Sequence, residues 1–148
     1  MTPHKQLIWH DPENGQYGDC FRTAIACLLN LHPSEVPHFA DHDATCDQLH
    51  EDAAVWLASR NLFLASFVYE DSLDRVLAMM GAMNAGLHYI LMGQSKVANH
   101  CVIALGDQIV FDPSITNDDL TQALIGPCRT PCKEDGYYWI YVICVNGK

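Results

Sequence analysis

The fold of this chain depends on the stretch Gly18-Asp19-Cys20-Phe21-Arg22-Thr23-Ala24-Ile25-Ala26-Cys27-Leu28-Leu29. Its apolar residues recur every three or four positions, which predicts a helix with one buried face. Asp19 is the predicted N-cap, so Cys20 falls in the first helical turn. Unpaired backbone N–H groups and the positive end of the helix dipole favour a thiolate at that position. Cys20 is therefore a candidate nucleophile.

A histidine far along the chain is the second candidate catalytic residue. His100 lies at the start of an apolar strand predicted over residues 99–105, and Asp112 ends the strand that follows. A tight turn at Gly106-Asp107 joins the two strands into a hairpin. A thiol, an imidazole and a carboxylate are the nucleophile, base and orienting group of a cysteine hydrolase.

The hairpin must place His100 and Asp112 on one face, because side chains alternate along a strand. A three-residue loop, Gly106-Asp107-Gln108, pairs Val102 with Asp112 and leaves His100 diagonal to the carboxylate on that face. A two-residue Gly-Asp turn places the two side chains on opposite faces unless a bulge intervenes. A distorted strand end before Pro113 also turns Asp112 inward. The sequence leaves these registers open.

Together these residues resemble the papain-like cysteine peptidase superfamily. The likeness rests on Gly18-Asp19-Cys20 before an apolar helix, Asn99-His100 opening a strand and Asp112-Pro113 ending the next. It covers most of residues 14–114 and is nearest to the compact domains that process double-glycine leader peptides and to their bacterial and phage relatives. The resemblance implies a papain-like α+β fold with Cys20 as nucleophile, His100 as base and acid, and Asp112 as orienter of the imidazole.

The same resemblance implies an oxyanion hole made by the nucleophile's own N–H and a glutamine side chain. The family carries this glutamine six residues before the cysteine. Here Gln16 lies four residues before Cys20, and Asn14 occupies the minus-six position. We expect Gln16 to donate, with Asn14 as the alternative. Phe21 stands where the leader peptidases prefer a small residue, so their substrate does not transfer.

The remaining sequence predicts an α+β protein with a mostly antiparallel sheet. Helical periodicity occurs near residues 46–60 and 72–80, with a short helix at 118–124. Strand patterns cover residues 62–69, 88–92, 99–105, 108–112 and 137–145, and a short one is expected at 7–9. No βαβ alternation is visible. We expect the N-terminal helix that carries Cys20 to pack on this sheet in a single domain spanning residues 1–148.

Composition narrows the class of function. The chain has 148 residues, 49% of them hydrophobic, and a formal charge of −10 from 18 acidic and 8 basic side chains. This negative field disfavours nucleic acid and anionic membrane surfaces as partners. No apolar run approaches the ~20 residues that span a bilayer, and residues 1–10 lack a signal core. An odd count of seven cysteines disfavours a disulfide framework. We therefore expect a cytoplasmic protein.

Two clusters invite a metal-site interpretation. His38, His42, Cys46 and His50 recur every fourth residue, but the apolar stripe of a continuous helix is missing around them, which favours solvated loop histidines. Cys128 and a second cysteine at position 132 lie in a proline-bearing loop without a second ligand pair, which favours free thiols or a reversible bridge. We expect no metal and no cofactor.

The function expected from these residues is a thiol-dependent hydrolase that cleaves an amide or peptide bond of a peptide or protein through an acyl-enzyme. Two alternatives stay open. One is an inactive papain-like module that binds or inhibits a partner, because a fold does not establish activity. The other is an acyl transferase, because transfer and hydrolysis share the same thioester stage.

Overall fold

Five antiparallel strands form the central sheet of the computed structural model, which describes residues 1–42, 46–129 and 136–146. The strands are β1 (Leu62–Tyr69), β2 (His88–Gln94), β3 (Asn99–Leu105), β4 (Gln108–Phe111) and β5 (Tyr138–Val145). Their order across the sheet is β1-β5-β2-β3-β4. The helices of the described ranges are α1 (Cys20–Leu29), α2 (Cys46–Ala58) and α3 (Leu73–Asn84).

Helices cover both faces of the sheet, and each face has its own apolar core. On one face α1 packs on β3 and α2 packs on β1. The core there includes Ile25, Leu57 and Ile103, none of which is exposed to solvent. On the other face Val76 and Met80 of α3 pack with side chains of β2, β3 and β5. The packing of α1 on β3 brings Cys20 to the strand that carries His100.

The expected α+β class and mostly antiparallel sheet are confirmed, with differences in detail. The helix expected to end near Met80 runs through Gly81 to Asn84. A Cβ at Gly81 would lie 2.6 Å from Cβ of Asp107. The glycine therefore serves the close packing of α3 against the β3–β4 turn and does not end the helix. The expected short helix at 118–124 is a single 3₁₀ turn, Leu120–Gln122, and residues 7–9 form no strand.

The β3–β4 hairpin combines a two-residue turn with a bulge. Leu105 pairs with Gln108 across the turn at residues 106 and 107, and Ala104 pairs with Ile109. The next pair is Ile103 with Phe111, so the register shifts by one residue between Ala104 and Ile103. This extra residue in β4 reverses the face of everything that follows. Asp112 therefore reaches the same face as His100, although the turn has only two residues.

None of the described helices is long and apolar enough to cross a bilayer.

Gly93, which pairs with His100 across β2 and β3, has no room for a side chain. A Cβ there would lie 2.7 Å from the carbonyl oxygen of Gly126 and 2.9 Å from the Tyr138 ring. We predict that Gly93→Ala lowers the free energy of unfolding by about 1–3 kcal/mol, the usual cost of overpacking. Urea unfolding followed by circular dichroism measures this change.

Gly126→Ala is the matched control, because a Cβ at Gly126 meets no atom within 4 Å. It should change the free energy of unfolding by less than about 0.5 kcal/mol. Equal effects of the two substitutions would contradict the packing described around Gly93.

Candidate active site

A cavity of about 430 Å³ lies beside the first turn of α1. Cys20, His100 and Asp112 all line it. The N-terminal arm contributes Gln6, Trp9 and His10 to one side, and the loop after β2 contributes residues 95–98 to another. The three residues expected to perform catalysis thus share one cavity, which the arm and that loop border.

Asp19 has a different role from the one its sequence position indicates. It occupies the N-cap position, but its side chain makes no capping hydrogen bond to α1. The carboxylate is buried and accepts hydrogen bonds from the backbone N–H groups of Leu7 and Ile8, at 3.3 and 3.0 Å. Its charge is paired with Arg22, whose Nε donates to it at 2.9 Å. Asp19 therefore fixes the N-terminal arm against the start of the helix.

His100 and Asp112 form a buried hydrogen-bonded pair. The distance from His100 Nε2 to Asp112 Oδ1 is 2.7 Å. The two residues are only 8% and 2% exposed, so little water competes for this bond. Because Asp112 occupies Nε2, the other ring nitrogen, Nδ1, is the one available to the sulfur of Cys20.

The Asp112 carboxylate is itself held by its surroundings. Oδ1 accepts a second hydrogen bond from the backbone N–H of Ser114 at 2.8 Å, and Oδ2 accepts from Nδ2 of Asn117 at 2.7 Å. Lys5 of the arm donates to the backbone carbonyl oxygens of Asp112 and Asn117 at 3.0 and 3.1 Å. Asn117 therefore helps to hold the Asp112 carboxylate in place. No sequence pattern indicated it, because its position depends on the loop conformation.

The thiol and the imidazole interact directly and alter each other's ionisation. A hydrogen bond from Cys101 is the largest influence holding the pKa of Cys20 well below its ordinary value, and the hydrogen bond and charge of His100 act in the same direction against burial. Burial favours a neutral His100, but hydrogen bonds to Asp112 and Cys20 outweigh it and raise the pKa of His100 to about 10. These opposite shifts favour the thiolate–imidazolium form of the pair.

Asp112 completes the charge arrangement as a carboxylate. Burial alone would raise its pKa, but the hydrogen bond and charge of His100, with the bonds from Ser114 and Asn117, bring the pKa of Asp112 below its ordinary value. The imidazolium therefore lies between two anions, Cys20 and Asp112, which is the arrangement that stabilises the charged ring.

The two residues expected to complete an oxyanion hole lie elsewhere. Gln16 is exposed and donates from Nε2 to the carbonyl oxygen of Trp9 at 2.7 Å. Asn14 is exposed at the end of a 3₁₀ turn and donates to Asp11. Neither is among the described residues that line the cavity. The arm turns back at residues 11–16, which directs both side chains away from Cys20.

Gln6 lies next to the backbone N–H of Cys20. With its amide oxygen towards the helix, it accepts from the N–H groups of Asp19 and Cys20 at 3.2 and 3.1 Å. Gly18 permits this approach, because a Cβ there would lie about 3 Å from the side chains of His10 and Gln6. Gln6 precedes Cys20 by fourteen residues, and its placement depends on the Asp19 contacts, so spacing along the sequence does not reveal it.

The histidines of the four-residue repeat have other partners. His38 Nε2 bonds to the carbonyl oxygen of Tyr17 at 2.9 Å, and His42 bonds to the Asp41 carboxylate. His50 Nε2 lies 2.6 Å from the Tyr141 hydroxyl, and burial lowers the pKa of His50 to about 4.

The structure describes neither the Cys46 side chain nor position 132, so the metal-site interpretations of these cysteines lie outside the described residues. Within residues 1–42, 46–129 and 136–146, no group of three or more histidine, cysteine, aspartate or glutamate residues is arranged to hold a metal ion.

Comparison of the chain with protein-family models, with curated proteins and with solved structures gives no match. What the site does must therefore be argued from its own geometry.

The lowered pKa of Cys20 generates a prediction about alkylation. A free cysteine, with a pKa near ~8.5, gains about tenfold in reaction rate per pH unit between pH 6 and 8. We predict that the rate for Cys20 with iodoacetamide changes less than about threefold over this range, because the thiolate is already formed. Peptide mass spectrometry of timed samples measures the rate at this residue, with N-acetylcysteine as the reference compound.

His100→Ala should make the pH dependence of Cys20 steeper, because the influence of the imidazolium on the pKa of Cys20 is lost while that of Cys101 is retained. A Cys20 rate that rises like that of the reference compound in the unaltered protein would contradict the thiolate–imidazolium pair.

Proposed function

We propose that this protein is a papain-like cysteine hydrolase that cleaves an amide or peptide bond through an acyl-enzyme on Cys20. The observation that carries the proposal is that Cys20 lines one cavity together with an imidazole that is itself bonded to a buried carboxylate. A nucleophile, a base and an orienter within reach of one another are what this chemistry requires.

Each residue has a distinct chemical role. The Cys20 thiolate attacks the substrate carbonyl carbon, and the imidazolium of His100 gives its proton to the departing amine. The neutral imidazole then removes a proton from water, which attacks the thioester and releases the acid. Asp112 holds the ring so that Nδ1 faces the sulfur throughout, because its bond fixes Nε2.

The N–H of Cys20 and the carboxamide of Gln6 are the proposed oxyanion donors. Both lie at the first turn of α1, next to the place where the oxyanion forms when the substrate carbonyl carbon bonds to the Cys20 sulfur. With its amide oxygen towards the helix, Gln6 accepts from the N–H of Cys20. Rotation of that carboxamide on substrate binding releases the N–H and presents Nε2 as a second donor to the oxyanion.

The cavity lining favours an acyl group with apolar character. Trp9, Phe21, Leu49 and Met92 contribute to it, and Lys96 is its one lysine or arginine among the described residues. The formal charge of −10 on the chain repels a strongly acidic substrate. A peptide or protein segment with an apolar residue at the cleaved bond fits these features.

We predict that p-nitrophenyl acetate acylates Cys20 and is turned over. The first turnover should release one p-nitrophenolate per chain, with the acetyl group located on Cys20 by mass spectrometry. Cys20→Ala should abolish the burst. His100→Ala should lower the rates of acylation and deacylation by about 10²–10⁴, the range for a general base. Asp112→Asn should cost less than His100→Ala, because a hydrogen bond to the ring is partly retained.

A panel of fluorogenic peptide amides extends this test to amide bonds, since these need the proton from His100 that an activated ester does not. Equal ester turnover by the Cys20→Ala variant would sink the proposed mechanism. Acylation that is never followed by hydrolysis, with both kinds of substrate, would point to the acyl transferase alternative. Lack of any acylation would favour the binding module.

Gln6 and Gln16 give a matched pair of variants for the oxyanion hole. We predict that Gln6→Ala lowers kcat by about 10²–10³, the usual cost of one lost donor, with a smaller change in KM. Gln16→Ala should leave kcat within about twofold, because that side chain bonds only to the arm. Steady-state kinetics on the best fluorogenic amide of the panel measures both. A larger loss for Gln16→Ala than for Gln6→Ala would reverse the assignment.

A further inference from the structure

A second thiol lies directly behind the nucleophile. Cys101 follows His100 on β3, and its side chain packs on the face covered by α1, in the same core as Ile25 and Ile103. It is fully buried, whereas Cys20 is partly exposed. Both residues line the cavity, and Cys20 packs against the core that contains Cys101. The first turn of α1 and the start of β3 thus bring two sulfurs together.

The two thiols share the cavity wall but differ in ionisation. Interaction with the Cys101 side chain is the largest influence that lowers the pKa of Cys20. Burial and the neighbouring Cys20 thiolate raise the pKa of Cys101 well above its ordinary value, so Cys101 keeps its proton. One sulfur is an accessible thiolate, and the other is a protected thiol in contact with it.

We propose that Cys20 and Cys101 form a reversible disulfide when the protein meets a hydroperoxide, with Cys20 as the oxidised thiolate and Cys101 as the resolving thiol. This arrangement, an accessible thiolate beside a second cysteine, is typical of redox-sensing sites. The disulfide suspends acyl chemistry by occupying the nucleophile, and it protects the sulfur from irreversible oxidation. Reduction by a dithiol restores both residues.

The disulfide forms in two steps. The Cys20 thiolate attacks one peroxide oxygen, the O–O bond breaks, and an S–O bond forms to give a sulfenic acid. The departing alkoxide or hydroxide takes the proton of the His100 imidazolium. The Cys101 sulfur then attacks the Cys20 sulfur, the S–S bond forms, and the S–O bond breaks. The Cys101 proton leaves with that hydroxyl as water. The peroxide is reduced by two electrons, and the two thiols are oxidised to one disulfide.

Other described cysteines are less suited to resolve a Cys20 sulfenic acid. Cys27 lies two turns further along α1, where its sulfur accepts from the backbone N–H of His4 at 3.2 Å. Cys144 lies on β5, where it pairs with Phe63 of β1. Cys128 is fully buried and is not among the described residues that line the cavity. Cys101 is the second described cysteine that lines it with Cys20.

The test compares the unaltered protein with Cys101→Ser and Cys144→Ser after treatment with one equivalent of hydrogen peroxide and, in a second series, with excess hydrogen peroxide. Serine keeps an O–H donor towards Cys20 but cannot form a disulfide, so Cys101→Ser isolates the resolving role. Digestion without reduction, followed by mass spectrometry, locates every cross-link. Iodoacetamide labelling of Cys20 before and after dithiothreitol measures how much of the oxidation is reversible.

We expect a Cys20–Cys101 cross-link in the unaltered protein and in Cys144→Ser, with at least about 90% of Cys20 labelling recovered by dithiothreitol. In Cys101→Ser under excess peroxide, Cys20 should proceed to sulfinic acid, and recovery should fall about tenfold. These readouts need no substrate, so the test stands whether or not the protein hydrolyses amides.

Three results would overturn the proposal: Cys20 sulfinic acid without a cross-link in the unaltered protein, a cross-link that joins Cys20 to another cysteine, or no oxidation of Cys20. Equal recovery of Cys20 labelling by dithiothreitol in Cys101→Ser and in the unaltered protein, after excess peroxide, would also overturn it. If Cys101→Ser does not fold, Cys101→Ala replaces it. If neither variant folds, the cross-links mapped in the unaltered protein decide.

Discussion

The 2.7 Å hydrogen bond between His100 Nε2 and Asp112 Oδ1 is the interaction on which the site depends. It exists because one additional residue in β4 changes the face on which Asp112 emerges. It also fixes the ring so that the second nitrogen faces Cys20. Interactions with Asp112 and Cys20 raise the pKa of the ring to about 10. The ionisation of Cys20 thus depends on the register of a hairpin eighty residues away in the sequence.

A second constraint is the buried carboxylate of Asp19. A buried charge is tolerated only when it is paired and hydrogen-bonded, and Arg22 together with two arm N–H groups meets that requirement. The same contacts fix the segment that carries Gln6 against the helix start. One side chain therefore links helix α1, the arm and the proposed oxyanion donor. The arm also holds the Asp112 loop, because Lys5 donates to the Asp112 carbonyl oxygen. The arm therefore contacts both the start of α1 and the loop that carries Asp112.

Much of this arrangement could be predicted from the sequence, and the rest depends on packing that the sequence does not display. Helix α1 and the position of Cys20 follow from apolar periodicity, and strands β1–β5 follow from their composition. The contact of His100 with Asp112 required a choice between registers, because a bulge leaves no clear mark in Gln108–Phe111. Gln6 was missed for a physical reason: an irregular arm takes its path from long-range contacts, not from local preference.

The role of Asp19 also differs from the one that local sequence rules predict. Local rules assign an aspartate before a helix to capping, since its side chain can bond the first backbone N–H groups. Here the carboxylate bonds instead to the N–H groups of Leu7 and Ile8 in the arm and to the guanidinium of Arg22. With its amide oxygen towards the helix, Gln6 bonds the N–H groups of Asp19 and Cys20 at the start of α1. The side chain that caps the helix is therefore close in space but distant in sequence.

The most direct test of the central claim is the protonation state of His100 measured by ¹⁵N NMR of its imidazole ring. The account predicts that both ring nitrogens are protonated at pH 8 and that the ring titrates near its raised pKa of about 10. Replacing Cys20 with alanine should lower that pKa, because one of the two anions is removed. A ring that is neutral at pH 8 and titrates near 6.5 whether or not Cys20 is present would contradict the account.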